Sequence, residues 1–102
     1  MSMIDRNLYT GLIRLHILHH AAEGPIFGQA MMDELGRHGY RLSAGTLYPM
    51  LHAMEQQGYL RSREKRSGRS ARRLYRATPR GRKALAEAKG KLHELIGELF
   101  ED

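Results

Sequence analysis

The chain has no cysteine among its 102 residues, which removes disulfides and thiolate metal sites together. It has no apolar run near the roughly 18 residues that a membrane-spanning helix needs. Asp5 and Arg6 interrupt the N-terminus before a signal-like segment can form. A soluble, cytoplasmic protein is expected. Nucleophile–base pairs, paired carboxylates and a phosphate-cradling glycine loop are also missing, so neither an enzyme nor a cofactor is expected. The most local shortage is of acids. Eleven of the seventeen Lys and Arg residues fall between Arg61 and Lys83, where Glu64 is the single acid. That stretch carries +10, leaving −4 for the rest of a chain whose formal total is +6. So many unbalanced cations repel one another, and an anionic partner relieves the repulsion. Composition alone does not separate DNA from RNA or an acidic membrane surface.

What is present suits one domain with a modest core: apolar residues make up 41% of the chain. A first helix is expected over 5–22, with Leu8, Leu12, Leu15 and Ala22 on one stripe and Ile13, Ile17 and Leu18 widening it. Glu23-Gly24-Pro25 stops it. A second helix follows over 28–38 with Ala30, Met31 and Leu35 inward. The third starts at Ser43, a favourable N-cap, and ends at Gly58. Its Leu47, Met50, Leu51 and Met54 recur at helical spacing and form a buried face. The opposite face carries Gly45, Pro49, His52 and Gln56, edged by Thr46, Tyr48 and Ala53. An ordinary solvated face would hold Lys and Glu, so this one suits close contact. Pro49 cannot donate to the Gly45 carbonyl, which reads equally as a tolerated kink or a tailored helix start.

Two short strands are expected over 59–66 and 71–77, around the turn Ser67-Gly68-Arg69-Ser70, with Leu60, Leu74 and Tyr75 as anchors. Thr78-Pro79 then opens a last helix reaching about Phe100. Leu85, Leu92 and Leu99 recur every seven residues along it, as do Ala88 and Leu95. A core of this size closes without that helix, so self-association is expected. The fold expected is mainly α with a small β-hairpin: a winged helix-turn-helix over 1–78 plus a long C-terminal dimerisation helix over 79–102. In that motif the second of the paired helices enters the major groove.

The run Leu42-Ser43-Ala44-Gly45-Thr46-Leu47-Tyr48-Pro49-Met50-Leu51-His52, with Glu55 and Gly58 after it, resembles the signature of PadR-type transcriptional regulators. Arg72-Arg73-Leu74-Tyr75-Arg76-Ala77-Thr78-Pro79-Arg80-Gly81 resembles the same family's second wing strand and the entry to its dimerisation helix. The resemblance covers nearly the whole chain. It implies a homodimeric winged-helix regulator, usually a repressor, of the compact branch with one C-terminal helix. Two departures stand out. Gln29 occupies the place where the family usually has an aromatic, a departure that bears on the packing or backbone contact of the second helix, and it is counted among the DNA-binding candidates. Some compact members hold flat aromatic drugs between tryptophans at the dimer interface. This chain has no Trp and only Phe100 and its tyrosines for stacking, so that role does not carry over and no inducer is named.

The candidate DNA-binding residues are therefore Gln29, Ser43, Thr46, Tyr48, Pro49, His52, Arg66, Arg69, Arg72 and Arg73. Ser43 caps its helix, and the first-turn amides can receive a phosphate. Thr46 and Tyr48 can donate to phosphates or base edges, and Pro49 can meet a thymine methyl. Arg66, Arg69 and Arg72 flank the turn, whereas Arg73 and Arg76 alternate in face, so one of the two is free for packing or an ion pair. Arg80, Arg82 and Lys83 oppose the helix dipole and read better as phosphate contacts than as stabilisers. Leu8, Leu12, Leu85, Leu92, Leu95, Ile96 and Leu99 are the dimerisation candidates. His16, His20 and Glu23 share a helix face, but with no further convergent ligand in view no metal site is expected. The partners expected are double-stranded DNA carrying an inverted repeat and a second copy of the chain, with no membrane. The alternative is an RNA- or ribosome-associated winged-helix module that uses the same basic strip.

Overall fold

The computed structural model describes residues 5–101. Helix α1 spans Arg6–Glu23, and the Asp5 carboxylate caps it by accepting from the backbone N–H of Asn7 and Leu8 at 3.0 and 3.2 Å. Its inward residues are Ile13, Ile17, Leu18 and Ala21, all buried. Leu8 and Leu12 stay exposed, so the helix is apolar on two sides, of which only one faces the core. Strand β1 is the two residues Ile26–Phe27, too short to leave any periodic signal, so the sequence shows only a helix stop at Gly24-Pro25. Helix α2, Gly28–Arg37, buries Met31 and Leu35. Ala30 is exposed, contrary to expectation, because it lies about a third of a turn away from the Met31 and Leu35 face. Helix α3, Ala44–Gln56, buries Leu47, Leu51 and Met54, with Met50 half-buried beside them.

Strands β2 (Leu60–Ser67) and β3 (Ser70–Ala77) form an antiparallel hairpin running from Leu60 opposite Ala77 to Ser67 opposite Ser70. Gly68 takes φ +61°, and no other residue type among those described has positive φ. This fits the two-residue turn with glycine at its first central position, whose twist matches a hairpin. β1 pairs on the other side of β3, giving a three-stranded sheet in the order β1-β3-β2. Helix α4, Pro79–Leu99, begins at the Thr78 cap, whose Oγ1 accepts from the Gly81 N–H at 2.9 Å and donates to the Gly58 carbonyl at 2.5 Å. One side chain thus ties the end of α3, the wing exit and the start of α4 together.

The core is one cluster that joins α1, α2 and α3 to Leu60, Tyr75 and Ala77 of the sheet, with Leu85 of α4 packed at its edge. α4 enters through Gly81, which is buried so closely that a Cβ there would run into the Tyr59 carbonyl and the Leu18 side chain. Backbone cannot step aside as a rotamer can. Gly81→Ala is therefore expected to cost about 3 kcal/mol, the upper end of the usual overpacking range. Thermal unfolding should show this as a fall of more than about 10 °C in Tm for a domain of this size.

Candidate nucleic-acid interface

The exposed side of α3 is built as its sequence suggests. Ser43, Ala44, Gly45, Tyr48, Pro49, His52 and Gln56 are exposed and Thr46 is half-buried; none is Lys, Arg, Asp or Glu. Ser43 stands at the N-cap with extended backbone (φ −76°, ψ 162°), but its side chain makes no capping bond. Its Oγ instead donates to Thr46 Oγ1 at 3.2 Å, because the nearby hydroxyl competes with the amides for it. The expected side-chain cap is thus replaced by a hydroxyl pair at the tip of the helix. Tyr48 is positioned from below. A Cβ placed on Gly28, the buried first residue of α2, would lie 2.5 Å from the Tyr48 hydroxyl oxygen and 2.7–2.8 Å from its ring carbons. The ring therefore lies across the start of α2, in a space that only glycine leaves open. Gln29, next along α2, is exposed and donates through Nε2 to Asp33 Oδ1 at 3.3 Å.

The hairpin divides its cations between two faces. Register places Ser62, Glu64 and Arg66 with Tyr75, Arg73 and Ala71 on the side of the buried Leu60 and Ala77. Arg61, Arg63 and Lys65 lie on the other side with Arg76, Leu74 and Arg72. There, Arg61 sits directly opposite Arg76 and Lys65 directly opposite Arg72. Like charges so paired destabilise a ladder, so this face gains when an anion lies across it. Arg72 is partly occupied: its guanidinium lies 4.2 Å from the centre of the Phe27 ring, a cation–π contact joining the wing to β1. Arg66 approaches Glu64 at 3.8 Å, and Arg69 is exposed in the turn.

A polar bridge fixes the wing against α3. The Glu55 carboxylate accepts from the Ser62 backbone N–H at 3.2 Å, and Ser62 Oγ lies 2.9 and 2.8 Å from its two oxygens. Arg73 Nε donates to the same Ser62 Oγ at 3.3 Å. Arg73, Glu55, Tyr48, His52, Gln56 and Tyr75 line one groove between helix and hairpin. Burial raises the Tyr75 pKa, which the Arg73 charge partly opposes, so the phenol there stays protonated as a donor. Arg80, exposed at the start of α4, places its guanidinium 5.2 Å over the Tyr59 ring. It braces the α3–β2 junction.

The fold that sets this helix beside this hairpin has counterparts among known proteins. The family model described as the transcriptional regulator PadR-like family matches residues 17–87, well over half of the chain. The chain belongs to the PadR-like family. It is 50% identical over 95 residues to the transcriptional regulator Rv3488 of Mycobacterium tuberculosis, covering 93% of this chain and 89% of that one. A PadR family transcriptional regulator from Eggerthella lenta superposes with a TM-score of 0.80 at 34% identity, covering 93% of this chain and 87% of the other. Bacillus subtilis PadR, solved in complex with operator DNA, shares the fold at a TM-score of 0.68 and 18% identity over 74% of this chain and 45% of its own.

Within this PadR-like fold, Ser43, Thr46, Tyr48, Pro49 and His52 come together on one helix face. Arg73 joins that face across the groove, while Arg66 and Arg69 lie further out along the hairpin. Arg72 lies on the far face, apart from Arg73. The residue-level candidates left out Arg61, Arg63 and Lys65, which the register sets on the far face with Arg76. The period-2 alternation already visible in the sequence held that signal, once the hairpin register was known. Sequence reasoning also missed the Glu55–Ser62–Arg73 bridge, which joins separate elements and has no local signature. Among the described residues, no helix is long and apolar enough to cross a membrane.

Proposed function

We propose that the chain is a homodimeric, sequence-specific DNA-binding repressor. Helix α3 enters the major groove, and the hairpin is the wing that lies along the backbone or minor groove. The observation that carries the reading is the pairing of two surfaces held rigidly together. One is a helix face without charge, suited to base edges; the other is a hairpin face with cations set opposite cations, suited to phosphates. The operator complex of a PadR protein with the same fold supports this use of the architecture. On this reading residues 1–78 bind DNA and 79–102 form the main dimer element. The apolar residues left exposed on α1 and α4, two helices that pack together, support the dimer. Two copies would place their α3 helices in successive major grooves about 34–36 Å apart, which calls for an inverted repeat.

The test is equilibrium binding to duplexes selected from a randomised pool, repeated across salt concentrations. Affinity is expected to fall by at least about a thousandfold between 50 and 200 mM salt if two subunits together meet six or more phosphates. Replacing Lys65 or Arg63 by Ser removes a cation from each of the two subunits, so the salt slope should fall by about two without a change in the preferred sequence. A flat salt dependence, or equal binding to structured RNA with no duplex preference, would defeat the proposal.

A further inference from the structure

Three imidazoles converge where α1 meets the helix-turn-helix unit, away from the nucleic-acid face. His16 and His20 lie one turn apart on α1, and His38 follows α2 as its C-cap in the turn leading to α3. One ligating atom from each lies within 4.8 Å of the other two. The His16 and His38 rings stack with centroids 4.8 Å apart, and the His20 ring lies 6.3 and 6.4 Å from them. Tyr40 closes one side, its ring 5.2 Å from His16. His20 has an acid at each nitrogen: Glu23 at 3.5 Å from Nδ1 and Glu34 at 3.6 Å from Nε2. The second oxygen of Glu34 is held by Arg37. An open groove lined by His20, Glu23, Gly24, Pro25, Ile26 and Glu34 runs along the His20 side of the cluster.

Three stacked bases are a poor packing device, since any proton taken up by one ring is repelled by the others. We propose that His16, His20 and His38 form a site for a divalent transition-metal ion of the Zn²⁺ type, with Glu34 completing or orienting the shell. Imidazole ligands without thiolates suit Zn²⁺, Co²⁺, Ni²⁺ or Cu²⁺. Nitrogens on one tetrahedral ion, bonded at about 2.0–2.1 Å, stand about 3.3 Å apart. Separations of up to 4.8 Å would have to close by as much as about 1.5 Å to reach that spacing, and His38 is exposed and so able to move. Whichever His20 nitrogen binds the ion, the other retains a carboxylate to accept its proton, the usual second-layer support of a ligating histidine. A second set, His19, His20 and Glu23, shares His20 but lies on α1 alone and is mostly exposed. The set that spans two elements is the better built.

The ion would fasten α1 to the turn that aims α3. On the DNA-binding reading, on which this step rests, loading the site changes operator affinity.

The site is tested first without DNA, by titrating the intact protein with Co²⁺. Visible d–d absorption should rise to saturation at one ion per chain and be displaced by Zn²⁺. His38→Gln should weaken binding by more than about tenfold, whereas His93→Gln on α4 should leave it unchanged. Absence of the absorption, or an unaltered titration in His38→Gln, overturns the site. A selected duplex is then bound with and without saturating Zn²⁺. A severalfold change in wild type that is lost in His38→Gln supports the coupling, and identical affinities remove the coupling while leaving the site. No duplex binding under any condition would overturn the DNA reading instead, with the Co²⁺ spectrum still deciding the site.

Discussion

Replacing Leu95 and Leu99 together by Glu is expected to yield a folded monomer that has lost operator binding. Both residues belong to an apolar surface that the single chain leaves open: Leu8 is 69% exposed, Leu12 38%, Leu95 48%, Ile96 52%, Leu99 65% and Phe100 79%. Leu85 and Leu92 are half-buried and nearer the body, so they contribute less to that surface. The core does not depend on the far end of α4, because Gly81 and Leu85 already fix the helix start against Leu18 and the sheet. Two buried carboxylates would break a second copy's packing, yet in the monomer they simply face water. Losing one of two linked half-sites should cost at least about a hundredfold in operator affinity. Light scattering or sedimentation reads the mass, circular dichroism the fold and a titration the affinity. A dimeric variant would show that these leucines are not the interface, and a monomer with undiminished affinity would dissociate dimerisation from DNA binding.

The sequence was most readable where periodicity is long. α1, α3 and α4 each carry enough turns for the apolar spacing to be decisive, and the Thr78-Pro79 start of α4 has an unambiguous local cause in its cap. Ser67-Gly68-Arg69-Ser70 located the hairpin turn for the same reason, since only glycine adopts the required φ cheaply. Features that depend on two distant segments were not readable. β1 exists because Ile26 and Phe27 find Tyr75 and Leu74 across β3, a partnership nearly fifty residues away in sequence. His38 joins His16 and His20 only once α2 has folded back along α1, so the sequence showed two histidines and an acid where the structure assembles three histidines. The two-sided apolarity of α1 was visible, and Leu8 and Leu12 were rightly set apart from the core, but Leu15 and Ala22 on the same stripe turn out partly buried against it. Their burial depends on where α4 and the sheet dock, not on any property of the helix itself.

If the exposed face of α3 reads DNA as proposed, its start should prove sensitive to a single methyl group placed outside it. Gly28→Ala would put a Cβ against the Tyr48 hydroxyl and ring, at distances no real side chain tolerates. What must yield is the far end of a side chain, so the ring swings away and the fold survives. The expected stability loss is about 1 kcal/mol, the mild end of overpacking. The consequence for binding is larger, because Tyr48 shares the exposed tip of α3 with Ser43, Thr46 and Pro49. A displaced ring either vacates its contact or blocks the groove, and a drop of at least about tenfold in operator affinity is expected, the loss of about 1.4 kcal/mol. A double-mutant cycle separates this cause from a general loosening of α2. In a Tyr48→Ala background the methyl meets open space, so Gly28→Ala should then add little to the loss already present. If both changes weaken binding additively, Gly28 acts through the backbone of α2 and not through the ring that it carries.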